Sequence, residues 1–312
     1  MKIPALASKD LLCVTDFSKS EIMSLFDFSL KLKKETRQGK TNTFLKGKTL
    51  AMIFEKSSTR TRVSFETGVF QLGGHALFLS KDDIQIGRGE TIADTARVLS
   101  RYVDAIMLRT FSHDKAVQLA QNATIPVING LSDSYHPCQA LADFLTILEF
   151  NGSFKKVKLA YVGDGNNVAH SLMLGAALLG IDFAIACPKA YSPDKKIIEY
   201  AFQLSSISGS KMVITTDVNM AVENANFLYT DVWTSMGREK ESAKRRKAFA
   251  KYKISSSLVK KCADNCRIMH CLPAHRGEEI DEDVMESERS IIFDQAENRL
   301  HVQKAIMCAL MK

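Results

Sequence analysis

An apolar run, Thr-Leu-Ala-Met-Ile-Phe54, stops abruptly at Glu-Lys-Ser-Ser-Thr-Arg-Thr-Arg62, and a helical spacing of Val63, Phe65, Val69, Phe70 and Leu72 begins at once. A strand that passes straight into a helix is a βα unit, and a chain that repeats it builds a parallel sheet covered by helices. The junction is itself an anion site. Ser58, Thr59 and Thr61 set hydroxyls and backbone N–H groups at a helix start, where the dipole is positive, and Arg60 adds a planar fork that matches phosphate oxygens. A single capping residue is enough to start a helix, so three hydroxyls with two arginines point to phosphate.

The rest of the chain repeats the unit. An amphipathic helix is expected over Ser18–Lys34, from Ile22, Leu25, Phe26, Phe28, Leu30 and Leu32. After the phosphate turn come a strand at His75–Leu79, a helix at Thr91–Arg101, a strand at Ala105–Leu108, a helix at Asp114–Gln121 and a strand at Pro126–Asn129. A long helix, Pro137–Phe150, ends at Asn151-Gly-Ser153, and the domain boundary is placed there. A second alternation follows, with strands at Val157–Val162, Phe183–Ala186, Met212–Ile214, Phe227–Thr230 and Ile268–His270. Helices are expected at Val168–Leu179, Asp194–Leu204 and Val218–Glu223, and a closing helix at Asn298–Met311. At 312 residues, two domains are the default. The fold class is α/β: two domains, each a parallel sheet flanked by helices, the second Rossmann-like, with the C-terminal helix packing back on the first.

Composition excludes several function classes. No apolar run is long enough to span a membrane, and the first ten residues lack a signal-peptide core, so a cytoplasmic protein is expected. Seven cysteines, an odd and scattered set, suit a reducing compartment. Cys262 and Cys266 have no second Cys/His pair at zinc spacing, so no metal is expected. Of the net charge of +7, the segment Arg238–Lys253 supplies +6, with eight Lys/Arg against two Glu. With no recognised nucleic-acid module beside it, it reads as a solvated face, not a nucleic-acid surface, though it would steer an anionic substrate.

Four further stretches carry chemistry. Gly163-Asp-Gly-Asn-Asn167 lies between strand and helix, but Val168 occupies the third glycine position of a dinucleotide fingerprint, so the turn better presents a polar side chain at a strand's carboxyl end. In Tyr135-His-Pro-Cys-Gln-Ala140, Pro137 suits a first helical turn and leaves His136 and Gln139 near that helix's amino end. Such a pair can donate to a developing oxyanion; a core histidine is the other reading. Arg109, just past a strand, is on its own more often a surface cation. Asp231 in Asp231-Val-Trp-Thr-Ser-Met-Gly237 can meet an ammonium or cap a turn, and Cys271 in His270-Cys-Leu-Pro273 is either an inert thiol or a soft group facing an amine.

Taken together, these stretches resemble the aspartate/ornithine carbamoyltransferase family. The Ser-Thr-Arg-Thr-Arg turn is similar to its phosphate signature, with Ser57 where the family commonly has proline, and His136–Asp143 matches its His-Pro-x-Gln motif with Ala-Leu-Ala-Asp after it. Asp231–Gly237 and His270–Pro273 resemble the ornithine branch, whereas the aspartate branch uses basic groups for a dicarboxylate. The resemblance covers nearly the whole chain. It implies transfer of the carbamoyl group of carbamoyl phosphate to the δ-amine of L-ornithine, giving citrulline and phosphate, with no cofactor. It assigns carbamoyl phosphate to Ser58, Thr59, Arg60, Thr61, Gln85, Arg109, His136, Gln139, Cys271, Leu272 and Arg299. Ornithine falls to Asn167, Asp231, Ser235 and Met236, and Arg109, His136, Asp231 and Cys271 are the catalytic set. Residues 1–150 with helix 298–312 become the carbamoyl phosphate domain and 151–297 the ornithine domain. A homotrimer or multiple of trimers is implied, Gln85 reaching a neighbour's site. A carbamoyltransferase for aspartate, putrescine or an acylated ornithine is the nearest alternative. A nicotinamide-dependent oxidoreductase would need a better glycine fingerprint, and a binding module would rest on Arg238–Lys253.

Overall fold

The computed structural model describes residues 2–86, 89–235, 237 and 239–312, the side chain of Glu239 excepted. The chain divides into two compact units, Met1–Leu145 with Asn298–Lys312, and Thr146–Glu297. In the first unit α1 (Lys19–Arg37) precedes a run of βα units: β1 (Thr49–Phe54), α2 (Thr59–Gln71), β2 (His75–Ser80), α3 (Ile92–Leu99), β3 (Ala105–Arg109), α4 (His113–Asn122), β4 (Val127–Leu131) and α5 (Pro137–Asn151). All strand pairs are parallel, in the order β2-β1-β3-β4. The chain reverses its direction of winding between β1 and β3, which makes that pair the topological switch point, where open α/β sheets bind ligands beyond the strands' carboxyl ends.

The second unit holds β5 (Lys158–Val162), α6 (Asn167–Leu179), β6 (Asp182–Ala186), α7 (Lys195–Ser208), β7 (Met212–Thr215), α8 (Val218–Val222) and β8 (Phe227–Thr230). After these come α9 (Ser242–Phe249), α10 (Ser256–Val259), β9 (Arg267–His270) and α11 (Glu282–Met285), and α12 (Ile292–Leu310) closes the chain. The parallel order β7-β6-β5-β8-β9 puts the switch point between β5 and β8. Both sheets are therefore doubly wound, as the alternation of patterns predicts.

Each unit has its own core. In the first, Ala51, Ile53, Ile106, Leu108 and Val127 from the strands pack on Ala96, Ala116 and Leu119 from α3 and α4. In the second, Ala160, Val162, Ala184, Leu228 and Ile268 pack with Trp233, Phe249, Ile254 and Ile292. At about 1.5–3 kcal/mol for each large side chain fully buried, these clusters hold the sheets rigid enough to aim the loops at their ends. Two glycines are needed where β5 turns into α6. Gly163 has φ 151°, and a Cβ on Gly165 would lie 2.3 Å from the Pro193 nitrogen.

The structure departs from the sequence reading at two places. The closing helix starts at Ile292, six residues before the Asn298 expected, its first turns burying Ile292 and Gln295, and its polar residues Asn298, Arg299, His301, Gln303 and Lys304 are buried as well. Asn298 accepts from Lys33 Nζ (2.8 Å), and Lys304 donates to Thr36 and Gln71 (2.9 Å each), so polarity there marks interior hydrogen bonding. The basic stretch is α9 and its flanks, and it is not wholly a solvated face, since Arg245 is buried. Among the described residues, no helix is long and apolar enough to cross a membrane.

Candidate active site

At the β1/β3 switch point, Ser58 is the N-cap of α2 and its Oγ accepts from the Thr61 N–H (3.2 Å). The expected hydroxyls divide by direction. Thr59 is exposed and Ser58 half-buried, while Thr61 is fully buried and its Oγ1 accepts from Arg299 Nη2 (3.0 Å) and from Ser58 Oγ (3.1 Å). Arg299 also donates to Gln139 Oε1 (2.7 Å), whose Nε2 donates to Asp143 Oδ1 (2.7 Å). This buried chain runs from α2 through α12 to α5 and locks the Gln139 amide in one orientation. Asp143 was not singled out as a site residue, although its i+4 spacing from Gln139 on one helix places the two in contact.

His136 closes the amino end of α5, where its carbonyl accepts from the N–H groups of Gln139 and Ala140 (3.1 Å each). Burial pushes its pKa well below the usual histidine value, and the positive charges of Arg299, Arg109 and Arg60 push it further. The imidazole is therefore neutral at pH 7, with one N–H to donate, beside three guanidiniums contributed by α12, β3 and α2. This is the arrangement that binds an anion and polarises a carbonyl oxygen. A cavity of about 360 Å³ opens at the same turn, lined by residues that include Glu55, Ser57, Ser58, Thr59 and Lys81. Gln85 is exposed in the loop after β2 and does not line that cavity.

At the β5/β8 switch point, Asp231 follows β8 and is buried. Its Oδ1 accepts from the Cys271 thiol (2.9 Å) and from the Val232 N–H (2.8 Å), and its Oδ2 accepts from Asn166 Nδ2 (2.7 Å). Asn166 of this turn thus touches Asp231. It also caps α6, its Oδ1 accepting from the N–H groups of Val168 and Ala169 (3.0 and 3.1 Å). The capping preference of asparagine is the sequence feature that could have separated it from its neighbour. Asn167 is the first residue of α6 and half-buried, as is Ser235, and Met236 lies outside the described residues.

Cys271 follows β9, and Leu272 has φ 57°. The Leu272 N–H donates to His270 Nδ1 (2.8 Å), and His270 Nε2 pairs with the buried Glu279 (3.2 Å). Ligand-capable atoms of Asp231, His270 and Cys271 lie within 4.8 Å of one another, but both His270 ring nitrogens are committed in this way. Cys262 and Cys266 belong to no metal-capable group among the described residues. Arg245, deep in the basic stretch, donates to Asp164 Oδ2 (2.7 Å) and to the Trp233 carbonyl (2.8 Å), joining the turn after β5 to the loop after β8.

Comparison with known proteins matches these two halves to two family descriptions. Residues 9–149 match the aspartate/ornithine carbamoyltransferase carbamoyl-P binding domain, and residues 155–310 match the Asp/Orn binding domain of the same family. The chain is 56% identical over 306 residues to the ornithine carbamoyltransferase of Anoxybacillus flavithermus, covering 98% of each chain. It is 53% identical over 309 residues to the anabolic ornithine carbamoyltransferase of Pyrococcus furiosus, covering 99% of this chain and 98% of that one. The solved structure of ornithine carbamoyltransferase from Pyrococcus furiosus superposes with a TM-score of 0.95 at 52% identity, covering 100% of this chain and 99% of the other. Matched over both halves and nearly its whole length, with two doubly wound sheets, the chain belongs to the aspartate/ornithine carbamoyltransferase family.

Proposed function

We propose that this chain transfers the carbamoyl group of carbamoyl phosphate to the δ-amine of L-ornithine, releasing L-citrulline and phosphate. The observation that carries the reading is the gathering of Arg60, Arg109 and Arg299 around the neutral His136. The guanidiniums hold the phosphate, whose charge grows as it leaves, and His136 donates to the carbonyl oxygen as the amine attacks its carbon. Ser58, Thr59 and Gln139 complete the contacts to carbamoyl phosphate, with Thr61 acting through Arg299, and Cys271 and Leu272 are assigned to the carbamoyl end. Ornithine is held by Asn167, Asp231, Ser235 and Met236. The Cys271–Asp231 pair suits an ammonium that must shed a proton before attack. Orientation and electrostatics suffice for the chemistry, so no cofactor enters.

Residues 1–150 with 298–312 are assigned to carbamoyl phosphate and 151–297 to ornithine, in a cytoplasmic enzyme. We assign the quaternary state as a homotrimer or a multiple of trimers, with Gln85 serving a neighbouring chain's phosphate site. Exposed apolar side chains in the first unit, Val63 and Phe70 on α2 and Leu77 on the edge strand β2, support an assembly surface. The deciding experiment is a citrulline assay with ornithine, putrescine, N-acetylornithine and aspartate as acceptors, beside an Arg60→Ala variant. Citrulline formed from ornithine, and lost by about 2–4 kcal/mol of transition-state stabilisation in the variant, is the expected result. Preference for another acceptor, or near-normal turnover of Arg60→Ala at saturating carbamoyl phosphate, would overturn the assignment.

A further inference from the structure

Glu55 follows β1 and begins the turn into α2, yet nothing in the mechanism above uses it. Its backbone N–H donates to the Arg109 carbonyl (2.8 Å), which extends the β1/β3 ladder one residue past the paired Phe54 and Arg109. Its carboxylate then reaches across to the same strand end. One oxygen accepts from Lys115 Nζ of α4 (2.6 Å) and the other from the hydroxyl of Thr110, the fully buried residue after Arg109. The side chain is 13% exposed, so these bonds are made largely out of water, and it lines the same cavity as Ser57, Ser58 and Thr59. Burial alone would raise the pKa of this carboxyl, but the hydrogen bonds from Lys115 and Thr110 outweigh it and hold the group below the usual glutamate value. A carboxylate beside a phosphate site repels its ligand unless a cation neutralises it, and the cation in contact with it is Lys115.

We infer that Glu55 is a positioning residue for carbamoyl phosphate, fastening the Arg109–Thr110 strand end to the phosphate turn, with Lys115 as the counter-charge that lets an anion bind beside it. The inference rests on the proposed phosphate reading of this turn. Glu55 does not touch the substrate; it acts through Arg109, whose guanidinium must stay in register with Arg60. In an anchored site of this kind a shift of about 1 Å costs up to roughly 100-fold in rate.

The test compares Glu55→Ala, Glu55→Gln, Lys115→Met and Thr110→Val by steady-state kinetics in both substrates, with inorganic phosphate as a competing ligand. Glu55→Ala should lower kcat about 30-fold, with KM for ornithine within about twofold of the parent. Glu55→Gln, which keeps an acceptor for Thr110, should lose less. Glu55→Ala combined with Thr110→Val should be no worse than Glu55→Ala alone, since both remove one contact. Inhibition by phosphate should weaken several-fold in Lys115→Met, which leaves the carboxylate unneutralised, and should not weaken in Glu55→Gln, which removes the repelling charge. A purely structural role would shift the unfolding midpoint without this opposed pair of effects. A kcat for Glu55→Ala within threefold of the parent overturns the inference, as does equal weakening of phosphate in Lys115→Met and Glu55→Gln. Should Glu55→Ala fail to fold, the isosteric Glu55→Gln and Lys115→Met still decide through phosphate. Arg60→Ala run in parallel separates the two claims: if it keeps full sensitivity to phosphate, the phosphate reading itself has failed.

Discussion

Replacing Arg245 by methionine removes a cation that joins the turn after β5 to the loop after β8. Arg245 and Asp164 have side chains 1% and 9% exposed, so their 2.7 Å ion pair lies out of water, whereas the contact to Glu241 (3.1 Å) involves a carboxylate that is half exposed and adds little. Taking away one partner of a buried ion pair costs about 3–5 kcal/mol. Methionine keeps most of the aliphatic packing, so the loss is electrostatic. The assay is urea unfolding followed by the emission of Trp233, the only tryptophan, which stacks on Phe249 in the same core. Adding Asp164→Asn to Arg245→Met should recover about 1–3 kcal/mol, because an amide tolerates burial without a counter-ion better than a carboxylate does. The Trp233 carbonyl loses its anchor, so KM for ornithine should rise while KM for carbamoyl phosphate stays near the parent value. A loss below about 1 kcal/mol, typical of a surface arginine, or a double variant less stable than the single, would refute the buried-pair reasoning.

Three further outcomes are expected. If the Cys271 thiol serves the amine by hydrogen bonding through Asp231, Cys271→Ser keeps weak activity and shows no phosphate burst before ornithine is added, and a stable carbamoyl adduct on the thiol would contradict this. Because the pKa of His136 is depressed in the folded protein, its contribution to stability is full above pH 6.5 and is lost as pH falls from there towards the folded value; the unfolding free energy of the parent should drop over that range more steeply than that of His136→Ala. If Gln85 serves a neighbouring chain, mixing and reassembling inactive Arg60→Ala and Gln85→Ala chains should restore about one quarter of sites, and no recovery after verified exchange would place Gln85 in its own chain's chemistry or outside it.

The sequence disclosed most where a residue's role follows from its place on one element. The strands and their helices were legible because short continuous apolar runs and helical stripes alternate, and Pro137 and the Ser58 cap mark helix starts that the structure keeps. What it concealed are contacts made across elements. Nothing local to α12 indicates that Arg299 meets Gln139 and Thr61, separated from it by 160 and 238 residues. The resemblance pointed to Arg299, but its partners came only from the fold. The same limit explains Arg245, whose neighbours in sequence make it look like one more solvated cation, and Glu55, whose partners lie on β3's extension and α4. Asn166 and Asn167 differ by one position in a turn, and only the direction of the cap tells them apart.

The two switch points are charged in opposite senses, and that follows from what each must hold. Around His136 the positive charges of Arg299, Arg109 and Arg60 act together, and on the proposed assignment a bound phosphate would offset them and stabilise the first unit. A protonated imidazole would add a fourth positive charge there, and burial together with the arginines opposes it. At Asp231 the logic inverts. A buried carboxylate needs donors, and it takes them from the Cys271 thiol, the Val232 N–H and the Asn166 amide, none of which carries positive charge. Full compensation by a built-in lysine or arginine would leave no electrostatic gain for an incoming ammonium. Neutral donors satisfy the hydrogen bonds yet leave the negative charge available, which on the proposed assignment favours a cationic amine over a dicarboxylate.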